Sequence, residues 1–86
     1  MGAEMTSATA SAQVPAIKAG SSVDVEVDWS VQMPSVAYSV LVSVPTSLRG
    51  KVTWLVTDNE LDHSTVRFTA SYDVSGGAIS ALAYAF

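Results

Sequence analysis

No cysteine occurs among the 86 residues, so no disulfide can brace the fold and thiol chemistry is excluded. Histidine occurs once, at His63, whereas a structural zinc site needs a set of Cys or His. Charge is scarce too: charged residues make up 14% of the chain, against roughly 25% in an average soluble domain. The four cations, Lys18, Arg49, Lys51 and Arg67, are scattered. A surface that tracks phosphates needs them clustered, so nucleic acid is not an expected partner. No run stays apolar for the ~18 residues a membrane helix requires, and no membrane partner is expected. The opening "MGAEMTSATASAQ" has Glu4 where a signal peptide is basic, and it lacks an apolar stretch; it is read as no signal peptide. A phosphate loop, a dinucleotide fingerprint and a Gly-x-Ser-x-Gly elbow are all missing. No cofactor is expected.

What the chain has in quantity is apolar residues, at 49% of the sequence. A domain of this length buries only about 60–65% of the surface its unfolded chain exposes, so it is marginal alone. Disulfides and zinc being ruled out, association is the remaining supplement. Few charges must also keep a large surface wet. The expectation is that part of that surface is covered by copies of the chain or by a larger assembly.

The organisation is that of short strands. In "VDVEVDW", residues 23–29, Val23, Val25, Val27 and Trp29 alternate with Asp24, Glu26 and Asp28, the period of a strand with one buried face. The run "VAYSVLVSV" puts Val36, Tyr38, Val40, Val42 and Val44 on one face. Its other face, with Ala37, Ser39, Leu41 and Ser43, is only half polar. "KVTWLVT" alternates Val52, Trp54 and Val56 with Thr53, Leu55 and Thr57. "STVRFTASY" repeats the pattern, and "AISALAYAF" closes the chain. The stretches "PTSLRG", "DNELDH" and "SGG" read as connections. A weaker strand around residues 12–18 brings the count to about six. Residues 1–11, small and polar, read as an extended or flexible N-terminal arm. The expected fold is all-β: a single antiparallel β-sandwich or barrel over residues 12–86, preceded by that arm.

Several residues invite a chemical reading. Alternate side chains on one strand face lie about 6.6–6.8 Å apart, too far for Asp24, Glu26 and Asp28 all to bind one ion. Two neighbouring carboxylates at that distance have the spacing of a hydrolase pair, but such pairs need unlike surroundings, and here both are equally wet; a hydrolase using Asp24 and Asp28 is the weakest of the readings. A solvated strand face that deters stray pairing is the preferred reading. In "DNELDH", Asp58, Asn59, Glu60 and Asp62 offer oxygens without the glycine or closing glutamate of a helical calcium loop. His63 has no metal-binding partners and reads as a surface residue. The aromatic residues Trp29, Tyr38, Trp54 and Tyr72 share the valines' phase, so core packing is expected of all four. Tyr84 and Phe86 fall on the other phase from Ile79, Ala81 and Ala83. Leu41, Leu55, Tyr84 and Phe86 are therefore the expected interface residues, and no residue is assigned a catalytic role.

The order "SVDVEVDW", "MPSVAYSVLVSV", "GKVTWLVT", "STVRFTASY", "GAISALAYAF" spans residues 20–86. With Pro34 and Tyr38 as a Pro-x-x-x-Tyr entry and residues 81–85 as an Ala-x-Ala-like ending, it resembles the short six-stranded domains of bacteriophage virion proteins. Those are similar in pattern to H-type lectins. The resemblance implies a non-enzymatic structural role as an oligomer, a trimer favoured, on a virion assembled in the host cytoplasm. There it would decorate the capsid or tail, binding a shell or tail protein. The alternative it implies is a carbohydrate-binding adhesin domain, with sugar as the ligand.

Overall fold

The computed structural model describes residues 6–85. Six strands follow in order: β1 (Thr6–Val14), β2 (Ser22–Asp28), β3 (Ser39–Ser43), β4 (Val52–Asn59), β5 (His63–Ala70) and β6 (Gly77–Ala85). They form two three-stranded antiparallel sheets, ordered β1-β6-β3 and β2-β5-β4. The expected all-β fold is thus a sandwich, and not a barrel. The sheets meet along the β1/β2 flank, where Ser30 N donates to Thr9 O at 2.9 Å and Thr9 N donates to Ser30 Oγ at 3.0 Å. Among the described residues, no helix is long and apolar enough to cross a membrane.

Alternation decides what faces inward. On β2, Val25 and Val27 are buried while Asp24, Glu26 and Asp28 are exposed. On β5, Ser64, Val66, Phe68 and Ala70 are buried, and Val66 and Phe68 have no exposed surface. From the other sheet come Ala8, Val14, Ile79, Ala81 and Ala83. A fully buried Val, Ile or Phe side chain contributes about 1.5–3 kcal/mol, so these central positions dominate stability. Leu48 adds to them from the β3–β4 connection: Leu48 N and Arg49 N both donate to Pro45 O, and this turn drives the leucine fully into the core.

Three expectations change. The first strand starts at Thr6, so residues 6–11 are paired backbone; residues 1–5 lie outside the described residues. All nine residues of β1 pair with β6, Ala8 opposite Ala83 and Ala10 opposite Ala81. Small residues meeting small residues pack closely without the bulky alternation by which strands are usually read. The strand ends before Pro15, whose nitrogen cannot donate, and only an isolated bridge, Ile17 to Val74, follows.

The run expected as one strand over residues 36–44 is cut to Ser39–Ser43. Val36 is exposed, because Tyr38 turns inward to bond with the β4–β5 turn and its approach leaves the strand path.

The four aromatics split. Trp29 and Tyr38 are buried, whereas Trp54 is 40% and Tyr72 62% exposed. Trp54 keeps the inward phase, with its ring 6.2 Å from that of Phe68, but it stands on the edge strand β4, where the sandwich ends. Tyr72 lies beyond Ala70, the end of β5, so strand phase no longer controls it.

Candidate functional site

The charged side chains of the strands fall on one sheet only. Asp24, Glu26 and Asp28 on β2, Arg67 on β5 and Asp58 on β4 belong to the sheet β2-β5-β4. Strands β1, β6 and β3 read TSATASAQV, GAISALAYA and SVLVS, without a charge. Because those three form the other sheet, their outward residues make one uncharged face. Register sets its rows: Ser7, Tyr84, Ser39; then Thr9, Leu82, Leu41; then Ser11, Ser80, Ser43. The middle row is the apolar one, with Leu41 57% and Leu82 36% exposed. The face is hollow, with an open depression of about 990 Å³ between these rows, and among the described residues Asp28 is the one charge on its lining.

The expected interface residues are brought together in part. Leu41 and Tyr84 lie on this face, on adjacent strands, although Tyr84 is half-buried there. Leu55, 66% exposed, lies on the opposite outer face, across from Arg67. Phe86 lies outside the described residues. Leu82 belongs to the face and was not singled out from the sequence.

The opposite face is acidic. Asp24 accepts from Arg67 Nε at 2.8 Å, its cross-strand partner. Asp28 lies opposite His63 in the same ladder, and His63 Nδ1 is 2.7 Å from Asp62 Oδ1. Ser64, next in sequence to His63, points inward and has no exposed surface. Strand alternation thus separates the Asp62–His63 pair from that hydroxyl. Among the described residues, no group of three or more His, Cys, Asp or Glu is arranged to hold a metal ion.

These charges make stability depend on pH. The Arg67 hydrogen bond holds the Asp24 carboxyl below its ordinary value of 3.8. Its contribution is present above the unfolded pKa and is lost as pH falls through the folded one. The hydrogen bond to Asp62 raises His63 above its ordinary 6.5, so that contribution is complete below the unfolded pKa and is lost as pH rises through the folded one. Glu26 is raised too, by a hydrogen bond with Asp28 and by its charge. A carboxyl raised by folding likewise withdraws stability as pH climbs through its pKa. The chain is therefore expected to melt higher at about pH 5.5 than at about pH 8 in low salt. Asp24, Glu26 and Arg67 are exposed and His63 is half-buried at the surface, so added salt should shrink the difference. Calorimetry at the two pH values checks this, and a higher melting temperature at the alkaline value would contradict it.

The chain matches no family model, no curated protein and no solved structure.

Proposed function

We propose that this chain is a non-enzymatic structural subunit that works by association, with a phage capsid or tail surface as the setting its sequence resemblance implies. The observation that carries the reading is the division of charge between the two sheets. Copies with a formal net charge of −4 repel one another, and an acidic face approaching its like costs energy. The strands of the other sheet carry no charge, and Asp28 is the single carboxylate among the described residues that line its hollow. That face offers leucine and tyrosine amid hydroxyls, the depletion of charge found at the centre of interfaces. It also lacks the lysines, prolines and inward charges by which sheets usually prevent association.

Sedimentation equilibrium over a wide concentration range tests the reading. The wild type is expected to associate. Leu82→Lys, which puts a charge in the middle row, is expected to weaken association by roughly 10-fold or more. Leu55→Lys, the same change on the already charged face, should leave association intact. A wild type that stays monomeric at every concentration overturns the proposal, as does an effect of Leu55→Lys with none from Leu82→Lys.

A further inference from the structure

We infer that two copies of this chain pair edge to edge through β3, joining their uncharged sheets into one six-stranded sheet ordered β1-β6-β3-β3-β6-β1. This rests on the associating role proposed above and names the partner and the contact.

Each sheet has two edges, and three of the four carry an obstacle to strand addition. Strand β1 is engaged at Thr9, whose N–H and carbonyl both bond to Ser30. Strand β2 carries Asp24, Glu26 and Asp28, three like charges that a second copy would have to approach. Strand β4 is interrupted between Val56 and Asp58, where Thr57 is an extra residue, and it ends on that aspartate and Asn59. A bulge and an edge charge are two devices that stop strand addition. The remaining edge is β3, SVLVS, which pairs with β6 on one side only. It has no charge, proline, glycine or bulge. Alternate backbone N–H and C=O groups along it point outward and need partners.

The partner follows from the same elimination. A ring of three copies needs two different edges that meet head to tail, and no second open edge exists among the described residues. Identical β3 edges can meet only antiparallel, about a twofold axis. The one register that uses all five residues centres on Leu41. It sets Leu41 against its own copy, Val40 against Val42 and Ser39 against Ser43. Residues directly opposite in an antiparallel pair share a face, so the two Leu41 side chains meet on the uncharged face beside both Leu82 side chains. With β1 beside β2, strands β3 and β4 form the same flank, and the half-exposed Trp54 of β4 lies there.

The contact is small. Five residues of strand and two layers of sheet give a footprint of about 350 Å² per copy. That is under half of the roughly 800 Å² per partner of a standard interface, so the dimer should be weak and visible only at high concentration.

A charge-swap experiment at position 41 tests the pairing. Leu41 is exposed in the single chain, so Leu41→Lys and Leu41→Glu are expected to fold, which circular dichroism and melting verify. Each variant alone should lose at least roughly 10-fold in dimer affinity, because like charges then oppose each other across the axis. An equimolar mixture should recover association, which only self-juxtaposition of position 41 predicts. Wild-type association unaffected by both variants overturns this contact while leaving the associating role standing. A trimeric wild type likewise overturns the twofold pairing alone. A wild type that is monomeric throughout overturns both.

Discussion

Gly76→Ala is expected to lower the melting temperature by about 10–25 °C, the largest effect of an added methyl at any described glycine. Gly76 has a φ of 92°, a region where a side chain costs roughly 1–2 kcal/mol. A Cβ there would also collide with the carbonyl oxygen of Val14 and stand 2.9 Å from the carbonyl carbon of Pro15. Both are backbone atoms at the end of β1, so no side chain can swing away. Forcing them apart adds about 1–3 kcal/mol. The sum is a large share of the roughly 4–13 kcal/mol that holds a domain of this length together. Gly50→Ala is the control. Gly50 has a similar φ of 77°, with nothing within 4 Å of the place an added methyl would take, so only the backbone cost applies. Equal melting temperatures for the two variants would refute the steric argument. The consequence reaches function, because Gly76 feeds directly into β6, the central strand of the uncharged sheet. A Gly76→Ala chain that still folds should have a looser β1–β6 register and associate less well.

The parts of this fold that could be read from the sequence are those where large residues alternate with charged ones. "VDVEVDW" and "STVRFTASY" declare their faces, and the answer for Asp24, Glu26 and Asp28 is a solvated strand face with Arg67 and His63 opposite two of the three. "DNELDH" closes the β4–β5 turn, where Glu60 N donates to His63 O at 2.8 Å. Strand β1 was hidden because alanine, serine and threonine differ too little in size and polarity for an inward phase to stand out. Leu48 was hidden because its burial depends on a turn and not on a period. Trp54 and Tyr72 show the limit of phase itself: it gives a direction, and burial also requires a layer to be present in that direction. The uncharged face was half visible. Strands β3 and β6 can be picked out of the sequence as charge-free, but β1 and β6 lie at opposite ends of the chain, and nothing local states that they pair. Topology turns three neutral segments into one surface.

Removing two hydroxyls from the core together is expected to cost more than the sum of removing each. Trp29 Nε1 donates to Tyr38 Oη at 3.0 Å and to Ser64 Oγ at 3.2 Å. Those two oxygens are 2.7 Å apart. Tyr38 Oη also reaches the carbonyl of Glu60 at 2.8 Å, and Ser64 Oγ reaches Asn59 Oδ1 at 2.8 Å. Two hydroxyl hydrogens are shared among these contacts and the His63 carbonyl, 3.1 Å from Tyr38 Oη, so the two hydroxyls bond each other only where Tyr38 gives up its carbonyl acceptors or Ser64 gives up Asn59. Tyr38→Phe leaves the indole N–H to Ser64, and Ser64→Ala leaves it to Tyr38. Each change should cost about 1–3 kcal/mol, since a buried partner loses a bond. Two opposing effects set the coupling. The Tyr38–Ser64 bond is lost in both single variants and so is counted twice, which makes the double variant cheaper by about 0.5–1.5 kcal/mol. The double variant alone strands the indole N–H in the core, at a cost of about 1–3 kcal/mol. The second effect is larger, so the double variant should exceed additivity by roughly 1 kcal/mol. Chemical denaturation of the four proteins measures it, and additive or sub-additive costs would show that the indole finds another partner. The network also bears on association. Tyr38 immediately precedes β3, and Asn59 Nδ2 donates to its carbonyl at 3.3 Å, so these bonds fix where the open edge begins. Tyr38→Phe should therefore weaken self-association even where the chain remains folded, whereas a surface change such as Thr57→Ala should not.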